Sequence, residues 1–271
     1  TDPGRALTDR FGFRDGSSAA AWVAEALERH WELDVARCDR LVISSRNAMA
    51  WVQVGDRALV VKWSSVPARF ARLEEAARLV AWLDTQEVPV AAPLAARDGR
   101  LMVELGNDAR GRFASRLPLP GGRFLVGVLP VVEGELLALD DAEHVRQAGQ
   151  MLATLHQALA RYPGHVGRRG RSAHGQLVHN DFRSANILHD GSGISAVLDF
   201  EEITRDTRAG DLAKSAVLLA TRYRDWGPTS EGVRAAYLDA YDDHALDPLT
   251  ASERHEIARR AAGHLKTFGW A

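Results

Sequence analysis

The sequence predicts an α+β fold, with an antiparallel sheet in its N-terminal part and mainly helices in its C-terminal part. Three observations carry this. Stretches rich in β-formers alternate with turn residues between 41 and 63. From residue 140 onward, apolar residues recur at helical spacing. Between these regions, Pro130-Val131-Val132-Glu133-Gly134 sets proline and glycine between apolar flanks, as a linker between lobes would.

In order, Ser17-Ser18 cap a helix reaching about residue 33, with Trp22, Val23, Ala26, Leu27, His30 and Trp31 on one face. Leu41-Val42-Ile43, Trp51-Val52-Gln53-Val54 and Leu59-Val60-Val61 are three strands, joined by Ser44-Ser45-Arg46-Asn47 and by Gly55-Asp56. Lys62 follows the third apolar run; taken alone, it reads as an edge lysine facing water. Pro67 opens a helix to about residue 85, with Phe70, Leu73, Ala77, Val80 and Leu83 inward. On it, Glu74 and Glu75 either face solvent or pair with Lys62. The run from Val88 to Pro93 breaks the helix and leads to a strand pair around Asp98-Gly99. Residues 106–122, rich in Gly, Pro and Arg, read as a surface loop, and 124–129 as another apolar strand. Asp140-Asp141 then starts a helix through 159 with Val145, Ala148, Leu152, Leu155 and His156 at core spacing. Residues 161–175 are short, basic and glycine-containing. Further helices begin at Asp211 and lie near 231–243 and 252–268. The domain reading is residues 1–129 as one lobe with a helical extension over 1–38, a hinge at 130–134, and a helical lobe over 135–271.

Bulk properties narrow the function. With 34 basic and 36 acidic residues, the chain has no surplus for a broad basic face, which argues against nucleic-acid binding. The single cysteine, Cys38, excludes an intrachain disulfide and any multi-cysteine metal site, and fits a cytoplasmic setting. No apolar run approaches a membrane span, and Thr1-Asp2-Pro3-Gly4 has none of the features of a signal peptide. Walker A, His-Glu-x-x-His and Gly-x-Ser-x-Gly patterns are absent. His165, His174 and His189 lack zinc-ligand spacing and read as ordinary loop residues, and Arg168, Arg169 and Arg171 as a solvated basic patch.

One stretch carries chemistry. An apolar lead-in at Leu177 runs into His179-Asn180-Asp181-Phe182-Arg183-Ser184-Ala185-Asn186, and Asp199 follows after the hairpin-like run Ile194 to Leu198. Phosphoryl transfer needs a group that orients the attacking hydroxyl and oxygen ligands for the magnesium that neutralises phosphate charge. Asp181, Asn186 and Asp199 supply groups of those kinds. A strand lysine, a helix glutamate and an apolar hinge precede them in order, which makes the joint signal far more specific than the short motif alone.

These motifs, with Val197-Leu198-Asp199-Phe200-Glu201 and Ala209-Gly210-Asp211-Leu212-Ala213, resemble those of the aminoglycoside phosphotransferase and choline kinase superfamily. Val61-Lys62 and Leu152-Ala153-Thr154-Leu155-His156 add weaker support, and the likeness runs from about residue 41 to the end of the chain. It implies a protein-kinase-like bilobal fold, ATP or GTP as phosphoryl donor, and Mg2+. Asp181 would orient the acceptor hydroxyl and take its proton, while Asn186 and Asp199 would bind the metal. Lys62 would contact the α- and β-phosphates, steadied by Glu75 or Glu74, with Glu75 favoured. Ser45 and Asn47 belong to a turn without glycine, so their phosphate contacts would come from hydroxyl and backbone N–H groups. The carbonyl of Pro130 and the N–H of Val132 would hold adenine, and His179 and Asp211 would brace the catalytic loop. Asn180 stands where many antibiotic kinases have glycine and is closer to choline kinases. The short interval from His156 to His179 implies an open cleft for a bulky acceptor.

For the acceptor, carboxylates and aromatic faces would favour a cation. Glu201, Glu202, Asp225, Trp226, Tyr237 and Tyr241 are the candidates, each as readily a surface acid or a core aromatic. The first reading is a resistance kinase for a cationic antibiotic, an aminoglycoside or a tuberactinomycin-type cyclic peptide such as capreomycin or viomycin. The second is a metabolic kinase for choline, homoserine or a sugar. The third, an inactive kinase-like binding module, is opposed by the intact Lys62, Asp181, Asn186 and Asp199.

Overall fold

The computed structural model of the chain describes residues 3–44, 47–106, 122–164, 166, 175–223 and 225–270. The chain divides into two compact units, Thr1–Arg78 with Ala92–Val131, and Leu79–Ala91 with Val132–Ala271. Residues 79–91 thus join the second unit, whereas a boundary at 129/130 would put them in the first. The reason is packing: Leu79, Leu83 and Val88 are buried in the second unit's core.

In the first unit, helices α1 (Pro3–Phe11) and α2 (Gly16–Trp31) precede strands β1 (Arg37–Ile43), β2 (Asn47–Val54) and β3 (Arg57–Ser64). A 3-10 turn at Pro67–Arg69 leads into α3 (Phe70–Thr85), and β4 (Met102–Gly106) and β5 (Arg123–Pro130) complete an antiparallel sheet of order β1-β2-β3-β5-β4. Helix α1 falls within the helical extension read over 1–38, although the sequence pattern singled out only the helix that became α2. The cap of α2 is Asp15 rather than Ser17-Ser18: its carboxylate accepts the Ser18 N–H at 2.7 Å, and the Ser18 hydroxyl accepts the Asp15 N–H at 3.1 Å. Around Asp98-Gly99 there is a turn, closed by the Ala96 N–H on the Arg100 carbonyl at 2.7 Å, and strand structure resumes only at β4.

One sheet face and the two N-terminal helices share a core in which Phe11, Phe13, Trp22, Trp63 and Phe124 meet edge-on or stacked, as aromatic quadrupoles favour. Along β3, Leu59, Val61 and Trp63 are buried in that core. Strand alternation turns Val60, Lys62 and Ser64 to the other face.

The second unit contains β6 (Glu135–Leu136), α4 (Ala142–Arg161), β7 (Gln176–Val178), β8 (Ile187–His189), β9 (Ile194–Val197) and β10 (Thr204–Asp206). Helices α5 (Arg208–Leu218), α6 (Glu231–His244) and α7 (Ala251–Thr267) follow. Asp141, Thr207, Ser230 and Thr250 cap the four helices with side-chain oxygens, as short polar residues at that position do. The β8–β9 hairpin turns at Asp190. The Ser192 hydroxyl, with the N–H groups of Ser192 and Gly193, holds the Asp190 carboxyl down to about 2. Among the described residues no helix is long and apolar enough to cross a membrane.

Helices α4 and α6 touch backbone to side at Gly149, where an added Cβ would lie 2.5 Å from the Tyr237 carbonyl oxygen and 2.9 Å from the Ala240 Cβ. Gly149→Ala is therefore expected to destabilise the fold by about 1–3 kcal/mol through overpacking, despite the better helix propensity of alanine. Gly232 in α6 has nothing within 4 Å of such a Cβ, so Gly232→Ala is the control that should melt no lower than wild type. A Gly149→Ala protein melting at or above wild type would contradict this account of the α4–α6 contact.

Candidate active site

The loop between β7 and β8 is built on buried apolar anchors. Leu177 and Val178 lead in, Phe182 and Ala185 lie beneath it, and Ile187 begins β8. Its backbone is tied to α5 and to the residue just after it. The Ser215 hydroxyl donates to the Phe182 carbonyl at 2.8 Å, and the Ser184 N–H donates to the Leu219 carbonyl at 3.0 Å. Asn180 adopts a left-handed conformation at φ 64°, which asparagine tolerates better than most residues. That bend carries the chain past His179 and presents Asp181.

The Asp181 carboxylate takes one donor on each oxygen: Arg183 Nε at 3.1 Å on Oδ1 and Asn186 Nδ2 at 2.9 Å on Oδ2. Asn186 Nδ2 also donates to the Asp181 carbonyl at 2.9 Å, so its amide hydrogens are both committed and its Oδ1 is the oxygen left to face a ligand. Asp199 arrives on the far side of the hairpin, registered by the Leu198 N–H on the Asn186 carbonyl at 2.8 Å. It too is left-handed, at φ 62° and ψ 65°. A non-glycine residue held there stores strain of about 1–3 kcal/mol, a feature that clusters at functional sites.

Behind the loop lies a buried polar chain. Asp211 Oδ1 accepts the Asn180 N–H at 2.9 Å, and Asp211 Oδ2 accepts His156 Nε2–H at 3.0 Å. His156 Nδ1 then accepts the Tyr241 hydroxyl at 2.8 Å. Burial alone would push the Asp211 carboxyl up, but His156 and the Asn180 N–H outweigh it and hold it below the usual carboxylate range. Lys214, one turn further along α5, donates to the Asn180 side-chain oxygen at 2.9 Å and also to its carbonyl. His179 links the loop to the strand before Asp199. Its Nδ1 accepts the Asp181 N–H at 3.2 Å, so Nε2 carries the hydrogen donated to the Leu198 carbonyl at 3.1 Å.

A model of the phosphotransferase enzyme family matches residues 40–173 and 164–254. The chain belongs to that family. Among curated proteins, the uncharacterized protein sll1119 of Synechocystis sp. is 37% identical over 84 residues, spanning 31% of this chain and 20% of that protein. Among solved structures, a microcompartment-associated aminopropanol kinase aligns at a TM-score of 0.65 and 19% identity, covering 92% of this chain and 88% of that one. An amicoumacin kinase solved with AMP-PNP, Ca2+ and Ami aligns at 0.65 and 12% identity, covering 91% and 93%. These likenesses show the kinase-like fold. By its family the chain is a phosphotransferase.

In this phosphotransferase several candidate residues lie elsewhere than the sequence implied. Tyr237 and Tyr241 cannot line an acceptor site: they are 0% and 1% exposed, with hydroxyls on Ser215 and His156. Their helical spacing marked the core face of α6. His189 is not a loop residue but the end of β8, buried, hydrogen-bonded to Gln147 at 2.9 Å and with its ring tilted against that of His144, centroids 3.8 Å apart. Lys62 is no edge lysine, because β3 is the middle strand of the five-stranded sheet, and its side chain is half-buried. Glu74 and Glu75 are both half-buried on α3, and the Glu74 charge acts on Arg100. Pro130 ends β5, and the Val131 N–H is taken by the Ala58 carbonyl at 3.0 Å, before Val132. Asn47 begins β2, its N–H on the Ser44 hydroxyl at 2.9 Å. Glu201 and Glu202 form a half-buried 3-10 turn after Asp199, while Asp225 and Trp226 are exposed. Ser45, His165, His174, Arg168, Arg169, Arg171 and the turn residue Arg46 lie outside the described residues.

Arg183, Lys214 and Ser215 were missed as site residues. For the latter two a signal existed: with Asp211 they stand at i, i+3 and i+4, on one face of α5. Among the described residues no three His, Cys, Asp or Glu side chains gather to hold a metal. Magnesium needs fewer, since it takes one or two carboxylates with phosphate oxygens and waters. The oxygen donors of Asn186 and Asp199 fit that ion.

Burial pushes the His179 imidazole below its ordinary value of 6.5, and the carboxylates of Asp211 and Asp181 and the Leu198 carbonyl only partly oppose this. The unfolded chain therefore takes up this proton first as pH falls, so the contribution is full above about 6.5 and is lost progressively below it. Urea unfolding at pH 7.5 and 5.5 should show that loss reduced in His179→Gln, even if the variant is weaker at pH 7.5. His30 and His264, also lowered by burial, would leave a residual slope. Identical losses in variant and wild type would contradict the neutral buried role of His179.

Proposed function

We propose that this phosphotransferase transfers the γ-phosphoryl group of ATP to a hydroxyl of a cationic small molecule, and that the acceptor is an antibiotic whose modification confers resistance. The observation that carries the reading is the Asp181 carboxylate, held by Arg183 and Asn186 while the loop beneath it is braced from α5. In this reading Asp181 orients the acceptor hydroxyl and receives its proton, since this kind of transfer asks mainly for positioning and charge stabilisation. Asn186 and Asp199 hold Mg2+, which when bound neutralises phosphate charge. Residues 1–129 serve the nucleotide, 130–134 form the hinge, and 135–271 carry the catalytic loop and the acceptor contacts. Lys62 meets the α- and β-phosphates, steadied by Glu75 or Glu74 of α3, with Glu75 favoured. Asn47 borders the phosphates, and the Pro130 carbonyl and Val132 N–H take adenine. GTP offers the same phosphates and is the alternative donor. The enzyme works in the cytoplasm, where such donors are found.

Support for a cationic acceptor comes from Glu201, Glu202, Asp225 and the exposed face of Trp226, carboxylates and an aromatic surface that favour positive charge. The structural neighbours named for amicoumacin and aminopropanol keep two acceptor types in play. Capreomycin, viomycin and the aminoglycosides exemplify the antibiotic type, and a small metabolic amino alcohol is the second reading, favoured by the aminopropanol kinase likeness.

With Mg2+ and ATP, a panel of aminoglycosides, viomycin, capreomycin, amicoumacin, spectinomycin, aminopropanol, homoserine and choline scored by ADP release should yield at least one cationic antibiotic acceptor. Asp181→Asn should lower its turnover about 10²–10⁴-fold; full turnover in that variant would remove Asp181 from its role, and activity on choline or aminopropanol alone would reject the antibiotic reading. A separate titration addresses the metal. Asn186→Ala should raise the Mg2+ concentration for half-maximal rate by about tenfold or more, and an unchanged requirement would remove Asn186 from the metal site.

A further inference from the structure

We propose that Arg183 is a second catalytic residue, one that grips the phosphoryl group in transit; the inference rests on the role given to Asp181 above. The guanidinium lies between Asp181 and Trp226. Nε donates to Asp181 Oδ1 at 3.1 Å, and Cζ stands 5.6 Å from the centre of the indole ring. The side chain is only 16% exposed. Nη1 is buried and, among the described residues, finds no acceptor.

A guanidinium presents five N–H donors in a rigid plane and keeps its charge at any relevant pH. Here one donor meets Asp181, while those of Nη1 are withheld from water without a partner. Leaving a buried donor unmade costs about 1–3 kcal/mol, more when it is charged. Nothing in the apolar packing requires an arginine at this place, because Phe182 and Ala185 already anchor the loop. What fits is a ligand that is anionic, rich in acceptor oxygens, and positioned next to Asp181 when it binds.

The transferred phosphoryl group meets all three conditions. The acceptor hydroxyl must lie against Asp181 and against phosphorus at once, so the phosphoryl oxygens come within reach of whatever flanks Asp181. Two negative groups then stand close in a poorly solvated site, and a cation bonded to both relieves their repulsion. A forked cation does this better than an ammonium, because one edge can keep Asp181 while another nitrogen takes a phosphoryl oxygen. Trp226 lies at a distance from Cζ at which its face attracts the cation, which steadies the plane of the fork.

During transfer, the bond from the γ-phosphorus to the β,γ-bridging oxygen breaks, and its electron pair leaves on ADP. The acceptor oxygen forms the new bond to phosphorus and its proton passes to Asp181. Arg183 stays protonated throughout and donates to an oxygen of the group in flight, where charge is spread over those oxygens.

Calorimetric titration of wild type, Arg183→Ala and Arg183→Lys with ADP and with AMP-PNP, each with Mg2+, tests this without turnover. Arg183→Ala should bind AMP-PNP about tenfold more weakly and ADP within about twofold of wild type, and Arg183→Lys should fall between. With an accepted substrate, kcat should drop about 10²–10³-fold while the acceptor KM moves little. Unchanged AMP-PNP affinity, or a raised acceptor KM with AMP-PNP affinity intact, overturns the proposal and assigns Arg183 to the acceptor or to packing. Should Arg183→Ala lose ADP binding too, Arg183→Gln, which preserves bulk, replaces it, and equal loss for both nucleotides there also overturns the proposal. A wild-type protein that binds neither nucleotide sinks the kinase reading itself, whereas nucleotide binding indifferent to Arg183 sinks only this one.

Discussion

The carboxylate of Asp211, 3% exposed, holds the N–H of Asn180 from behind and so fixes the bend on which the loop bearing Asp181 turns. A buried charge of this kind is tolerated only when its oxygens are met by donors in good geometry, since removing one partner leaves an uncompensated charge. His156 supplies the second donor, and its own orientation is set by the Tyr241 hydroxyl. Three helices, α4, α5 and α6, are thereby made to agree on the position of one backbone N–H. Lys214 holds the same residue from the side chain and carbonyl, so the left-handed conformation of Asn180 is over-determined rather than merely permitted.

That arrangement relates the strain in the loop to the strain at Asp199. Both residues sit at positive φ, and His179 spans the distance, accepting from the Asp181 N–H and donating to the Leu198 carbonyl. A neutral imidazole suits this place because it offers one donor and one acceptor; a protonated ring would present two donors to one carbonyl and one N–H. Burial supplies the driving force that keeps it neutral. The result is a rigid frame in which an aspartate, an amide and a second aspartate are displayed by backbone that cannot relax locally.

The first unit rests on different physics. Its sheet is held by an apolar and aromatic core on one face, and strand alternation alone decides that Lys62 faces away from that core. No polar chain comparable to the one behind Asn180 is needed for the groups proposed there, which are led by the Lys62 side chain on β3 and the Pro130 carbonyl at the end of β5.

Much of this was legible in the sequence, because the relevant signals are local. The β-strand runs, the helix caps at Asp141 and the apolar spacing of α4 and α6 depend on residues within a few positions of one another. So does the clustering of Asp181, Asn186 and Asp199 on a loop and the hairpin after it. The family's motifs lie in those same short segments. What the sequence could not decide is which side of a periodic helix meets which neighbour. Tyr237 and Tyr241 read equally well as acceptor aromatics or as core, and only packing against α4, with Gly149 admitting the backbone of α6, buried them. Arg183 carried no signal of its own, since an arginine two residues after an aspartate is ordinarily a solvated surface group. Its burial, its bond to Asp181 and a nitrogen that finds no acceptor among the described residues exist only once residues distant in the chain, Trp226 among them, close around it. The sequence determined the chemistry available on the loop; the tertiary structure decided which groups are held, which are hidden and which are left with donors to offer, because burial is a property of the surroundings and not of the residue.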